Sequence, residues 1–186
     1  GADDLTRLEK DRVWIVDPLD GTREYGEPGR SDWAVHIALA ERGVPTAGAV
    51  ALPAIGRTLS TNPAPPMPPP VDGPPRLVVS RSRAPAAAMI VAEATGAQML
   101  SLGSAGAKAM AVVLGHADIY AHSGGQYEWD NCAPAAVAIA AGFHASRCDG
   151  SPLEYNFEDP WLPDLIICRP ELADEVVAAI RRAIEA

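Results

Sequence analysis

Two carboxylates stand three positions apart in Asp17-Pro18-Leu19-Asp20-Gly21-Thr22, a segment dense in turn formers. Pro18 fixes φ and stiffens the turn, so both carboxylates can face one point, together with the Leu19 carbonyl between them. An all-oxygen donor set of this kind suits Mg²⁺ rather than zinc. Gly21 lets the backbone approach a ligand closely, and the successive N–H groups of Gly21 and Thr22 form an anion nest. Asp-Pro and Asp-Gly also punctuate ordinary turns, and taken alone the segment reads first as such a turn.

A second constellation is Glu128-Trp129-Asp130-Asn131-Cys132-Ala133-Pro134, which opens a helix expected over 130–141 and ended by Gly142. Asp130 is an N-cap candidate; a carboxylate held rigid at a helix start can also ligate a metal. The third is Gly103-Ser104-Ala105-Gly106-Ala107-Lys108, where a strand gives way to a helix whose first N–H groups could meet a phosphate. No GK[ST] pattern surrounds Lys108, so this is not a P-loop, and a small-residue packing face explains the composition equally well. His36, His116, His122 and His144 lack metal-ligand spacing and read as surface or hydrogen-bonded core residues. Cys132, Cys148 and Cys168 form no CxxC pair and read as small core residues.

The elements that must position these residues fall into two groups. Strands are expected over 12–16, 32–40, 46–52 and 57–61, an antiparallel set. Asn62 to Pro75 then holds eight prolines in 14 residues, which predicts polyproline II or irregular backbone serving as a stiff connector. Beyond it the period changes. Strands are expected over 76–80, 97–102, 117–121 and 164–168, and helices over 84–95, 104–114, 130–141 and 170–186. The division is therefore a first unit over 1–61, a connector over 62–75 and a second α/β unit over 76–186, in a mixed α/β fold.

The chain has 186 residues, 24 acidic against 15 basic, for a net charge of −9. That sign disfavours nucleic acid polymers and anionic membranes as partners; an anionic substrate must be held by something other than net charge, a metal ion being the first candidate. The first residues carry neither a basic n-region nor an apolar h-region, and the apolar runs fall short of a bilayer span, so the expectation is a cytoplasmic chain.

Trp14-Ile15-Val16-Asp17-Pro18-Leu19-Asp20-Gly21-Thr22 resembles the first signature of the inositol monophosphatase superfamily, the lithium-sensitive Mg²⁺ phosphatases. Trp129-Asp130 with Ala133-Pro134 and Ala140-Ala141-Gly142 resembles the second, in the expected order. Ser80-Arg81-Ser82, Gly103-Ser104 with Lys108, and Asp20 to Tyr25 are most similar to the CysQ-type 3′(2′),5′-bisphosphate nucleotidases within it.

The resemblance implies a layered sugar-phosphatase-like α/β fold in which Asp17, Asp20, Asp130 and the Leu19 carbonyl bind Mg²⁺. It further implies that Asp20 and Thr22 are catalytic, with Thr22 helping to orient the attacking water. Leu19, Asp20, Gly21, Thr22, Ser104, Lys108 and Asp130 would line the substrate, Lys108 reaching a second phosphate that inositol monophosphatases lack. The substrate implied is a small nucleotide bisphosphate, 3′-phosphoadenosine 5′-phosphate, converted to AMP and phosphate, and the assembly implied is a homodimer. An inositol or fructose-bisphosphate phosphatase is the alternative with the same metal chemistry, and a catalytically dead metal- or nucleotide-binding remnant is the alternative from another class. The family's glutamate ligand would fall just before Gly1 and its threonine-pairing aspartate further upstream. Glu9 and Asp11 match neither, so the expectation is the remainder of a longer protein or a true truncation.

Overall fold

A computed structural model describes residues 4–70 and 72–185. The outermost expected positions, residues 1–3 and Ala186, and one connector position, Val71, lie outside the described residues. Strands β1 (Arg12–Asp20), β2 (Ala34–Glu41), β3 (Val44–Leu52) and β4 (Arg57–Ser60) form an antiparallel sheet in that spatial order. A single turn of helix, α1 (Thr22–Tyr25), follows β1 directly. Ala34, His36, Ala38 and Ala40 of β2 alternate buried with more exposed neighbours, the period-two pattern of a sheet covered on one face.

From Arg76 onward strands and helices alternate. Strand β5 (Arg76–Ser80), helix α2 (Ala86–Thr95) and strand β6 (Gln98–Leu102) make a parallel βαβ crossover. Helix α3 (Ala105–Val113), strand β7 (Ile119–Tyr127), helix α4 (Glu128–Ala140), strands β8 (His144–Ser146) and β9 (Trp161–Cys168), and helix α5 (Ala173–Ile184) follow. The five-stranded sheet runs β6-β5-β7-β9-β8, with β9 antiparallel to both neighbours. The helix expected from 170 begins as a 3₁₀ turn over Pro170–Leu172, with Pro170 at its first position, where no helical N–H is needed.

Alternation along the five-stranded sheet divides its side chains between two cores. Val78, Tyr120, Leu165 and Ile167 join Met110, Val112 and Val137 of α3 and α4, which also meet Ile15, Ala38 and Val50 of the first sheet. Leu77, Ile119, Ile166 and Cys168 face the other way, against Val91 of α2 and Val176 and Ile180 of α5. The order of layers is therefore four-stranded sheet, α3 with α4, five-stranded sheet, α2 with α5. Helix α4 approaches β3 over Gly48, where an added Cβ would lie 3.1 Å from Ala136 Cβ and 3.3 Å from Ala133 Cα.

Candidate active site

The expected strand ends at Val16, but β1 continues through the Asp-Pro segment to Asp20. Asp17 pairs with His36 and Asp20 with Ala34, so three steps on β1 match two on β2. One extra residue there makes a bulge. Its consequence is specific: residues three apart on a regular strand face opposite sides, whereas here Asp17 and Asp20 are both buried, at 9% and 8% exposure. Asp17 Oδ1 accepts the Leu19 N–H at 2.9 Å, and Thr22 Oγ1 donates to the Leu19 carbonyl at 3.3 Å. Gly21 turns the chain into α1 with φ +81°, and a Cβ there would stand 2.9 Å from Ser104 Cβ. Only glycine meets both conditions without strain.

The start of α3 locks Asp20. Ser104 Oγ donates to Asp20 Oδ2 at 2.5 Å, the Gly106 N–H donates to the same oxygen at 2.7 Å, and Ser104 Oγ caps the helix by accepting the Ala107 N–H at 3.0 Å. The Ser104 hydroxyl is thus committed to Asp20 and to its own helix. Lys108 requires a correction. A cation free to reach a second phosphate is the expectation, but its ammonium is buried, at 5% exposure for the residue, and donates to the Gly103 and Ser104 carbonyls at 2.9 Å each. Burial pulls its pKa down, against the raising effect of Asp20, Glu24, Asp130 and Asp32. The neighbouring Gly103 N–H donates to Asp32 Oδ2 at 2.5 Å; Arg30 pairs with Asp32, and Arg81 donates to Glu24 at 2.7 Å and Glu27 at 2.5 Å.

Asp130 also differs from its expected place. Helix α4 begins two residues earlier, with Tyr127 as N-cap and Asp130 as the third helical residue. The Glu128 N–H goes to the Pro160 carbonyl at 2.9 Å and its carboxylate accepts the Phe157 N–H at 2.8 Å, which anchors the earlier start. From the first turn, Asp130 Oδ2 accepts the Tyr127 N–H at 2.7 Å. One carboxylate oxygen from each of Asp17, Asp20 and Asp130 lies within 4.8 Å of the other two. Burial, followed by repulsion from Asp20 and Asp17, pushes Asp130 up to about 6 despite the Tyr127 bond. Burial also raises Asp17, with Asp20 adding to it. Three hard oxygen donors pressed together against their own repulsion fit a divalent cation, which would relieve it.

His36 is the hydrogen-bonded core residue its surroundings suggest, with Nδ1 donating to the Trp129 carbonyl at 2.9 Å. Its proximity to the cluster was not signalled by spacing: Nε2 stands 3.4 Å from Asp20 Oδ2. His122 and His144 bond Gly125 and Ser146 away from the carboxylates, and His116 is exposed. Tyr127 and Trp129 stack at 4.6 Å and 8°. A cleft of about 780 Å³ runs along the free edge of β1, lined among others by Trp14, Val16, Trp129 and Asn156.

The chain is 54% identical to a protein of Mycobacterium tuberculosis named 3′-phosphoadenosine 5′-phosphate phosphatase, over 97% of this chain and 71% of that one. It is 33% identical to the 3′(2′),5′-bisphosphate nucleotidase CysQ of Escherichia coli, over 81% of this chain and 65% of that protein. Among solved structures, CysQ of Bacteroides thetaiotaomicron, described as a bacterial member of the inositol monophosphatase family, superposes with a TM-score of 0.74 at 26% identity, covering 91% of this chain and 74% of that one. The profile of the Inositol monophosphatase family matches residues 1–63 and 76–185. Two signatures, one layered fold, three converging carboxylates and this match lead to the same place: the chain belongs to the inositol monophosphatase family, a family of metal-dependent enzymes.

Proposed function

We propose that the chain is the catalytic part of a Mg²⁺-dependent 3′(2′),5′-bisphosphate nucleotidase that hydrolyses 3′-phosphoadenosine 5′-phosphate to AMP and phosphate. The observation that carries the reading is the convergence of Asp17, Asp20 and Asp130, in a chain 54% identical to a phosphatase named for that substrate.

Asp17, Asp20 and Asp130, with the Leu19 carbonyl, hold the cation. Bound there, Mg²⁺ supplies charge neutralisation on the phosphoryl oxygens and a water that loses its proton near neutral pH. The protein's own groups do the rest. Ser104 and Gly106 bond Oδ2 of Asp20 and fix the carboxylate that would help to hold the cation. The N–H groups of Gly21 and Thr22 receive the scissile phosphate, and Thr22 Oγ1, already near the Leu19 carbonyl, orients the attacking water. Asp130 lies on the leaving-group side. Lys108 holds the Gly103–Ser104 turn, which carries the Ser104 hydroxyl that bonds Asp20.

The first unit, residues 1–61, supplies Asp17 to Thr22, and the second, 76–186, supplies Ser104 and Asp130, with 62–75 connecting them. No helix among the described residues is long and apolar enough to cross a membrane. A cytoplasmic site of action accords with a small nucleotide substrate.

Phosphate release from 3′-phosphoadenosine 5′-phosphate, inositol 1-phosphate and fructose 1,6-bisphosphate, measured side by side with and without Mg²⁺, tests the reading. The highest kcat/KM is expected on the nucleotide, abolished by chelation. Faster turnover of inositol 1-phosphate would overturn the substrate assignment.

A further inference from the structure

The imidazole of His36 joins the two segments that bring the carboxylates together. Its ring is 1% exposed. Nδ1 donates to the carbonyl of Trp129, the residue immediately before Asp130 in the first turn of α4. On the opposite side of the ring, Nε2 faces Asp20 Oδ2 at 3.4 Å and has no hydrogen-bond partner among the described residues. The room for it is made by Gly106, where an added Cβ would collide with Nε2. A helix start usually leaves its carbonyls to the helical ladder, so a side-chain donor on Trp129 adds a tether specific to this end of α4.

The two ends of the ring therefore report on different ligands. Asp20 is fixed by the start of α3, through Ser104 and Gly106. Asp130 rides on α4, whose first turn is fixed by Glu128 on one side and by His36 on the other. Resting on the proposal that Asp17, Asp20 and Asp130 hold Mg²⁺, we propose that His36 is a positioning residue of this metal centre: its Nδ1–H bond to the Trp129 carbonyl holds the first turn of α4, and with it Asp130, while the Nε2 edge of the ring packs against Asp20 without a hydrogen bond. It touches no reacting atom in this role. Outer partners of metal ligands commonly contribute in this way, and their loss weakens metal binding about 10–100-fold.

The test compares His36→Leu and His36→Asn in the purified protein, by calorimetric titration with Mg²⁺ and by Tm without metal. Leucine fills the buried space but cannot donate to Trp129; asparagine fills it poorly but places an amide nitrogen near the Nδ1 position. A packing role makes Leu the milder change in both measurements. The positioning role reverses the order for the metal: Mg²⁺ affinity should fall about 10–100-fold in His36→Leu and recover in part in His36→Asn, whatever the order of Tm. Mg²⁺ affinity as low in His36→Asn as in His36→Leu or lower, or at the wild-type value in both variants, overturns the inference. Should His36→Leu fail to fold, His36→Met, which also fills the space and cannot donate to Trp129, takes its place; weaker Mg²⁺ binding supports the role and unchanged binding overturns it. The wild-type titration separates the two levels of argument, because absence of Mg²⁺ binding there overturns the metal reading itself, and the role of His36 with it.

Discussion

Ser104 Oγ donates to Asp20 Oδ2 at 2.5 Å across 84 residues of sequence, and the same hydroxyl accepts the N–H of Ala107. One side chain is at once the cap of α3 and the clamp on a carboxylate. Replacing it with alanine removes the cap and leaves Asp20 with the Gly106 N–H alone. Ser104→Ala should destabilise the metal-free protein by about 1–2 kcal/mol, read by denaturant melts. It should also weaken Mg²⁺ binding, because Asp20 is freed to turn. A stability loss with unchanged Mg²⁺ affinity would mean that only the cap matters.

Asp130→Asn tests the electrostatics of the cluster. Asp130 is pushed from 3.8 to about 6 in the folded protein. The native state then binds a proton that the unfolded state has already lost, so metal-free stability falls as pH rises through the window from about 4 to 6 and levels off above it. The substituted amide carries no such charge, and its oxygen can still accept the Tyr127 N–H. The expected result is that the Asp130→Asn variant gains Tm relative to wild type as pH climbs from about 4 to 6, with the difference constant above. Turnover should fall at least about 100-fold at all pH values. A Tm difference that does not vary with pH would refute the repulsion.

Lys108→Met separates a substrate contact from a scaffold. With the ammonium on two carbonyls, its removal takes the side-chain donor from the Gly103 oxygen, while the Ser104 oxygen keeps the backbone N–H of Lys108, a loss of about 1–3 kcal/mol. Both 3′-phosphoadenosine 5′-phosphate and inositol 1-phosphate should then lose kcat/KM by the same factor. A loss confined to the nucleotide would restore the direct phosphate contact.

Gly21→Ala should be damaging twice over. The left-handed backbone costs an L-residue about 1–2 kcal/mol, and the new methyl meets Ser104 Cβ at 2.9 Å. A Tm drop together with lost turnover is expected. Wild-type turnover in Gly21→Ala would show that the turn relaxes without disturbing Asp20.

Much of this architecture was legible from local pattern. The change of period at Arg76, the glycine stop after Thr95 and the Gly103-Ser104 start of α3 each follow from chemistry within a few residues. The convergence of Asp17 and Asp20 was inferred from a stiff turn, yet what accomplishes it is a bulge against β2, a non-local pairing that spacing alone does not reveal. Asp130 moved from cap to third helical position because β7 continues through Gly124 and Gly125 to Tyr127, glycines that locally read as a break. Burial of Lys108 and the reach of His36 depend on layers packing above and below them. Strand β8 spans only His144–Ser146, too short to carry a period.

The missing side chain at Gly48 acts as a gauge for chemistry elsewhere. No carboxylate of the cluster sits on that stretch of β3, but the depth at which α4 settles there helps fix how far Asp130 reaches. Contacts of 3.1 and 3.3 Å to a new methyl would push the helix outward by a few tenths of an ångström unless β3 yielded instead. The three carboxylate oxygens lie within 4.8 Å of one another, so such a shift would change the spacing of Asp130 from Asp17 and Asp20. The spacing offered to a cation is in this sense set partly by a strand that supplies no ligand.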